Sequence, residues 1–117
     1  MVKLLDDTVK RVIEESVPGK QVTLAHVIAS PIEEIYDSLG IENEGAIGIL
    51  TISPFETAII AADIAGKSAD VQVGFLDRFT GSVLISGDVQ SVEESLQTVV
   101  NVLKQTLNYE VVKVTRT

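Results

Sequence analysis

The sequence predicts an α/β domain of the α+β sandwich type, with a ferredoxin-like βαββαβ core preceded by one strand and a short helix. Three observations predict this class. The chain has 117 residues, which suffice for one domain with a single buried core. Hydrophobic residues make up 45% of the chain, with two Tyr, three Phe and no Trp, a composition typical of a soluble globular domain. Apolar stretches with strand-like alternation and with helical spacing follow one another along the chain.

The first clear elements follow Pro18–Gly19, a pair typical of a turn. Residues 1–17 fit either a helix or a short strand. "KQVTLAHVIA" alternates as a strand does. Its alternation predicts one face made of Val22, Leu24, His26 and Ile28. A short helix is then predicted, with Ser30 as its cap, Pro31 in its first turn and Gly40 as its C-terminal stop.

The βαββαβ core is predicted from Gly45 onward. Gly45–Ser53 is a strand, and Ser53–Pro54 opens an Ala-rich helix. The core stripe of this helix is expected to be Ile59, Ile60 and Ile64. "DVQVGFL" and "GSVLISGDV" are two strands joined by a loop at Asp77–Ser82. The longest helix carries one apolar face, formed by Val92, Leu96, Val99, Val100, Leu103 and Leu107. "YEVVKVTRT" is expected to be the last strand.

Charge and cysteine content argue against several classes of function. The formal net charge of −8 opposes binding to nucleic acid or to an anionic membrane surface. No apolar run approaches the ~20 residues of a membrane span, and the N-terminal charges are too closely spaced for a signal peptide. The chain has no cysteine, so disulfides and Cys-based zinc sites are excluded. These features fit a cytoplasmic protein.

Candidate catalytic and metal-binding residues are few. His26 is the only histidine, which excludes a site with several histidine ligands and favours a structural role at a core or subunit contact. Glu56 and Asp63 lie on nearly the same face of one helix, where two carboxylates more often face water than bind a cation. No set of nucleophile, base and orienting residue is found. We therefore expect no enzyme activity, no metal and no cofactor.

Three stretches carry a specific resemblance: "VPGKQVTLAH", "GFLDRFTG" and "GDVQSVE". With their spacings, the chain resembles bacterial microcompartment shell proteins of the EutS/PduU type from about Arg11 to Thr117. The resemblance implies that Ala46–Thr115 is the shared shell-protein (BMC) domain, and that Gln21–Leu39 corresponds to elements found at the C-terminus of ordinary shell proteins. The chain would then be a circularly permuted BMC domain over residues 20–117, preceded by an N-terminal extension over residues 1–19.

The resemblance also implies a function and a set of partners. The expected assembly is a homohexamer that tiles with other microcompartment shell proteins. The shell would enclose enzymes of ethanolamine, 1,2-propanediol or choline breakdown and retain an aldehyde intermediate. Targeting peptides of the enclosed enzymes are a further candidate partner. The alternative is a regulatory domain that binds a small ligand on the same ferredoxin-like scaffold.

Roles for particular residues follow from the resemblance alone. The N-terminal segment is expected to form a small β-barrel on the six-fold axis, from Arg11, Val12, Ile13, Glu14, Glu15, Ser16 and Val17. The loop expected to line that axis consists of Asp77, Arg78, Phe79, Thr80, Gly81 and Ser82. Lys67 and Arg116 are expected at contacts between hexamers. Without the resemblance, the loop is an ordinary hairpin connection in which Gly81 supplies the unusual backbone angles, and both cations are ordinary surface residues.

Overall fold

The computed structural model describes residues 19–117, which form one mixed sheet covered by three helices. The strands are β1 (Gln21–Ile28), β2 (Ala46–Ser53), β3 (Val71–Asp77), β4 (Ser82–Gly87) and β5 (Thr115–Arg116). The helices are α1 (Glu33–Leu39), α2 (Thr57–Ser68) and α3 (Val89–Leu107). The predicted fold class is confirmed. The predicted barrel segment Arg11–Val17 lies outside the described residues.

The strand order in the sheet is β3-β4-β2-β1-β5. All neighbouring pairs are antiparallel except β1 and β5, which are parallel. The last strand of the βαββαβ unit therefore does not pair with the first, because β1 lies between them. The predicted C-terminal strand was too long. Only Thr115–Arg116 forms a strand, and an isolated bridge joins Glu110 to Gln21.

The main core lies between the sheet and the two longer helices. The predicted apolar face of α3 is confirmed. Leu107 is partly buried, and the other five residues of the face are buried: Val92, Leu96, Val99, Val100 and Leu103. On the opposite face of the sheet, Tyr36 of α1 packs with Ile47 and Leu84 in a smaller cluster. Both faces of the central strands are thus covered.

The predicted core stripe of α2 was wrong for two of its three residues. Ile59 and Ile60 are 51% and 46% exposed, and Ile64 is only partly buried. The buried face consists instead of small residues: Thr57, Ala58, Ala61, Ala62 and Ala65. Small side chains let α2 approach α3 closely, and the hydroxyl of Ser95 on α3 donates to the Ala65 carbonyl at 2.9 Å. Ile59 and Ile60 consequently face outward, whereas Ile64 packs against the edge of the core.

The predicted single face of β1 was also wrong. A register shift between Val22 and Leu24 interrupts its pairing with β2. Because a bulge moves the following side chains to the other face, Val22 and Ala25 share the buried side and Leu24 is 40% exposed.

The helix starts differ slightly from the prediction. Helix α1 begins at Glu33, after Ile32, so Ser30 does not cap it, whereas Gly40 ends it in the left-handed conformation (φ 72°) as predicted. Helix α2 begins at Thr57 rather than at Ser53–Pro54. In both cases the proline lies in the connection before the helix. Its missing backbone N–H therefore removes no hydrogen bond from the helix.

Candidate functional site: the two ends of the sheet

Strand register places the candidate axis loop at one end of the sheet. Asp77 pairs with Ser82, and Ser82 pairs with Thr51 of β2. At the same end Gln21, the first residue of β1, pairs with Ser53. Lys20, which directly precedes β1, therefore lies at the same end of the sheet as the loop, and its carbonyl accepts the Glu110 N–H at 2.9 Å.

Both candidate edge cations lie toward the other end of the sheet. Val71, the first residue of β3, pairs with Gly87 there, and Lys67 lies in the last turn of α2, just before β3. Arg116 pairs with Val27, near the end of β1. Since a strand rises about 3.3 Å per residue, the seven residues of β3 separate the two ends by roughly 20 Å.

The loop at Asp77–Ser82 is a tight turn that is stabilised within the chain. The Asp77 carboxylate accepts backbone N–H groups from Phe79 at 2.9 Å and Thr80 at 3.4 Å. The Gly81 N–H donates to the Asp77 carbonyl at 2.8 Å. The backbone N–H of Phe79, followed by the Thr80 hydroxyl, lowers the pKa of Asp77 below its ordinary value, because these donors favour the charged form.

Arg78 does not pair with Asp77. Its guanidinium lies over the Phe79 ring, 5.1 Å from the ring centre, in a cation–π arrangement. Phe79 is 75% exposed, so an aromatic ring and a cation together form the outer surface of the turn. The Asp77 carboxylate therefore holds the loop through backbone donors rather than through Arg78. Beside this surface, the Thr80 hydroxyl donates to the Ser82 hydroxyl at 3.1 Å.

Gly81 is required by the geometry of the turn. Its φ is 78°, in the left-handed region that side chains disfavour. A Cβ at this position would lie 2.1 Å from the Ile52 carbonyl oxygen. The Ile52 N–H also donates to the Gly81 carbonyl at 2.9 Å, which holds the turn against β2. The predicted special backbone angles at Gly81 are therefore present.

Each candidate edge cation has an acidic partner on its own chain. Lys67 pairs with Asp63 at 2.8 Å, one helical turn earlier, and both side chains are mostly exposed. Arg116 donates to Glu93 of α3 at 3.0 Å. Exposed pairs of this kind contribute little to stability, so a neighbouring molecule can exchange them at low cost.

The remaining candidates, Asp63 and His26, each contact other side chains within residues 19–117. Asp63 faces Lys67 rather than Glu56, and no group of three or more His, Asp or Glu side chains comes together in this range. The His26 ring nitrogens lie 2.6 Å from the Thr115 hydroxyl and 2.9 Å from the Thr117 hydroxyl. His26 thus fastens the C-terminal segment to β1, in keeping with the structural role predicted for it.

One feature of the surface was missed at the sequence level. Three apolar side chains of β3 are 40–42% exposed on the outermost strand of the sheet: Val73, Phe75 and Leu76. The stretch "VQVGFL" could have indicated an exposed apolar edge, because it lacks the charges and prolines that usually protect an edge strand.

Comparisons with known proteins identify the family. The BMC domain family matches residues 46–115. The bacterial microcompartment shell protein CutR of Streptococcus intermedius is 57% identical over 108 residues, covering 92% of this chain and 93% of CutR. EutS of Escherichia coli (strain K12) is 53% identical over 107 residues, covering 92% of this chain and 96% of EutS. PduU of Salmonella typhimurium is 51% identical over 111 residues, covering 94% of this chain and 96% of PduU.

Solved structures agree with this assignment. A flat hexamer of CutR superimposes with a TM-score of 0.84 at 57% identity, covering 87% of this chain and 94% of that chain. A fused permuted hexameric shell protein of the RMM microcompartment has a TM-score of 0.67 at 18% identity, covering 83% of this chain and 56% of that chain, and it shows the shared fold alone.

The predicted resemblance is confirmed, and the alternative of a regulatory domain is not favoured. Within residues 19–117, no helix is both long and apolar enough to cross a membrane. The chain belongs to the BMC domain family, as a bacterial microcompartment shell protein of the EutS and PduU type.

Proposed function

We propose that the chain forms a homohexamer that tiles with other shell proteins into the shell of a cytoplasmic microcompartment. One observation carries this proposal: the turn and the start of β1 lie at one end of the sheet, and both candidate edge cations lie toward the other. A ring subunit needs this polarity, because one end must face the axis and the other must face the next ring. The flat hexamer formed by CutR at 57% identity supports the same arrangement.

At the axis, six copies of the turn would surround a central opening or depression. Each copy contributes the exposed Phe79 ring with Arg78 stacked on it, while Gly81 and Asp77 hold the turn in shape. Residues 11–17 would form the axial barrel beside this ring, with the extension spanning residues 1–19 and the shell domain residues 20–117. A barrel there would obstruct free passage of metabolites along the axis.

At the periphery, Lys67 and Arg116 would contact neighbouring hexamers. Six chains with a formal charge of −8 each carry −48, so close tiling needs specific cationic contacts. Lys67 can donate to carbonyl groups of a neighbour through its flexible stem, and Arg116 offers a planar set of donors. Their exposed partners, Asp63 and Glu93, leave both cations accessible.

We propose a structural rather than a catalytic role for this subunit. The carboxylate of the turn is engaged by backbone donors, which leaves it poorly suited to proton transfer. The shell would enclose enzymes of ethanolamine, 1,2-propanediol or choline breakdown and retain their aldehyde intermediate. Targeting peptides of those enzymes would be partners of the shell, whereas nucleic acid and membrane would not.

Tiling is tested by electron microscopy of sheets formed by the purified protein. Lys67→Ala should leave the mass of the hexamer unchanged and abolish extended sheets, since it removes a peripheral contact only. The matched control is Lys20→Ala, an exposed lysine next to β1 at the axial end. Sheets that survive Lys67→Ala unchanged would overturn the peripheral role of Lys67, and loss of the hexamer itself would place Lys67 inside the ring.

A further inference from the structure

The segment 30–45, which contains α1 and the loop that follows it, holds much of the chain's negative charge. It has five acidic residues and no Lys or Arg, in a chain whose formal net charge is −8. Two of these carboxylates, Glu42 and Glu44, line a hollow of about 260 Å³. This acidic hollow is also lined by Ile41 from the same loop, by Gln72 from β3 and by Ser86 from β4.

The floor of the acidic hollow belongs to the face of the sheet that α1 covers. Gln72 pairs with Ser86 across β3 and β4, and Ser86 pairs with Ile47 of β2. Directly paired residues of neighbouring strands point to the same face of a sheet. Ile47 packs with Tyr36 in the smaller cluster under α1. The loop 41–44 therefore forms a wall beside this cluster, over polar side chains of the sheet.

The loop that carries the two glutamates of the hollow is held in place by Asn43, which lies between them. The Asn43 amide nitrogen donates to the Glu33 carboxylate of α1 at 2.9 Å. The Asn43 side-chain oxygen accepts the Gly45 N–H, also at 2.9 Å. These bonds order the loop before any ligand arrives, which lowers the entropy cost of binding.

Two buried hydroxyl groups, one in the acidic hollow and one close to it, have no hydrogen-bond partner within residues 19–117. Ser86 lines the hollow and is only 4% exposed. Tyr36 is 1% exposed, and its hydroxyl is likewise without a partner. Burial, followed by the charges of Glu33 and Glu44, raises the pKa of Tyr36, so its phenol keeps its proton. Buried polar groups are normally satisfied by the protein or by a bound molecule, so these hydroxyls indicate a missing partner.

The groups around the acidic hollow call for a ligand that donates hydrogen bonds and carries positive charge. Carboxylates only accept hydrogen bonds, and an amide oxygen and a hydroxyl can accept them too. No ion pair among residues 19–117 engages Glu42 or Glu44. A primary ammonium group offers three N–H donors and no acceptor. A calcium ion would need roughly six to eight oxygen ligands, and no group of three or more His, Asp or Glu side chains comes together in residues 19–117.

We propose that the acidic hollow binds a small primary ammonium compound. Its N–H groups would donate to the carboxylates of Glu42 and Glu44 and to the hydroxyl of Ser86. Its short carbon chain would lie against Ile41, the apolar part of the same wall. All of these groups belong to one chain, so the proposal does not depend on the hexamer. It adds a binding site for a small amine to the structural role of the subunit.

Saturation-transfer NMR on the natural chain, titrated with n-propylammonium, tests the ligand chemistry. We expect a Kd on the order of 1 mM, about the strength of two charge-assisted hydrogen bonds. Tetramethylammonium has the charge without N–H donors, and 1-propanol has the carbon chain without the charge. Both should bind about tenfold more weakly or not at all. Absence of n-propylammonium binding, or equal binding of either comparison compound, would overturn the proposal.

Paired substitutions test the place of binding. A chain with Glu42→Gln and Glu44→Gln should bind n-propylammonium about tenfold more weakly or worse, because both charged acceptors are lost. The matched control carries Glu34→Gln and Asp37→Asn, which remove two charges from α1 outside the hollow. It should bind within about twofold of the natural chain, since exposed charges at a distance are screened.

A control that loses as much affinity as the test variant would overturn the site, because binding would then follow the acidic surface as a whole. Ser86→Ala should weaken binding by about threefold or more, since one acceptor is lost. Unchanged affinity in that variant would remove Ser86 from the site. The native mass and circular dichroism spectrum of each variant should match those of the natural chain, so loss of binding is distinguished from loss of the hexamer or of the fold.

Discussion

The turn Asp77–Gly81 and strand β3, which leads into it, are neighbours in the chain. They differ in whether the chain itself provides hydrogen-bond partners and apolar contacts for their residues. In the turn, the chain supplies donors and acceptors for its own backbone and carboxylate. Among the strands of residues 19–117, β3 pairs only with β4, and it leaves Val73, Phe75 and Leu76 partly in water. The turn is therefore a property of the folded monomer, whereas the edge of β3 is expected to be completed by a second chain.

The largest effect on stability is expected from Gly81→Val, which disrupts the turn. The substitution forces a side chain into a left-handed conformation and places its Cβ against the Ile52 carbonyl oxygen. We expect a loss of about 3 kcal/mol or more in the free energy of unfolding, measured by urea denaturation. The control is Gly66→Ala in α2, where a Cβ meets no atom within 4 Å and a gain of about 0.5–1 kcal/mol is expected. Equal stability of the two variants would contradict the geometry of the turn.

The next effect is expected from Leu76→Asp at the β3 edge. In the monomer this side chain is 40% exposed, so the charge is tolerated, but in the ring it would be buried without a partner. The variant should lose assembly and melt at a temperature independent of protein concentration. The natural chain should melt at a higher temperature as its concentration rises. A hexameric Leu76→Asp variant would show that the edge stays in solvent.

A smaller and pH-dependent effect is expected from Asp77→Ala. The folded-state pKa of Asp77 is lowered, so its carboxylate stabilises the fold above the unfolded pKa of about 3.9. This stabilisation is lost as the pH falls through the folded-state pKa. The difference in unfolding free energy between the natural chain and the variant should therefore shrink as the pH falls below about 4. A difference that stays constant between neutral and acidic pH would show that the charge of Asp77 does not matter.

The smallest effect is expected from Phe79→Ala at the tip of the turn. The ring is 75% exposed and contacts Arg78, so its removal should change the monomer's unfolding free energy by less than about 0.5 kcal/mol. The mass of the assembly should be unchanged, because the ring is expected at the axis rather than between subunits. Dissociation of the hexamer would instead place Phe79 in the subunit contact.

Local patterns predicted the elements that depend on local chemistry. The spacing of Val92, Leu96 and Leu103 predicted the buried face of α3, and Gly81 predicted the special backbone of the turn. The roles of Lys67 and Arg116 came from family resemblance alone, and they stay predictions.

The failures share one physical cause, which is that neighbouring elements decide what is buried. In α2, close packing against α3 selects alanine for the inside and leaves Ile59 and Ile60 outside. In β1, a bulge that no residue type marks turns Leu24 outward. A single-sequence pattern favours burying the largest apolar residues, and it has no means of distinguishing the core of a subunit from the contact between subunits.

The native mass of the purified natural chain, measured by light scattering after size exclusion in moderate salt, tests the central claim most directly. The account predicts a mass near six chains of 12.6 kDa, about 76 kDa. A folded chain that remains a monomer or a dimer across concentrations would contradict it.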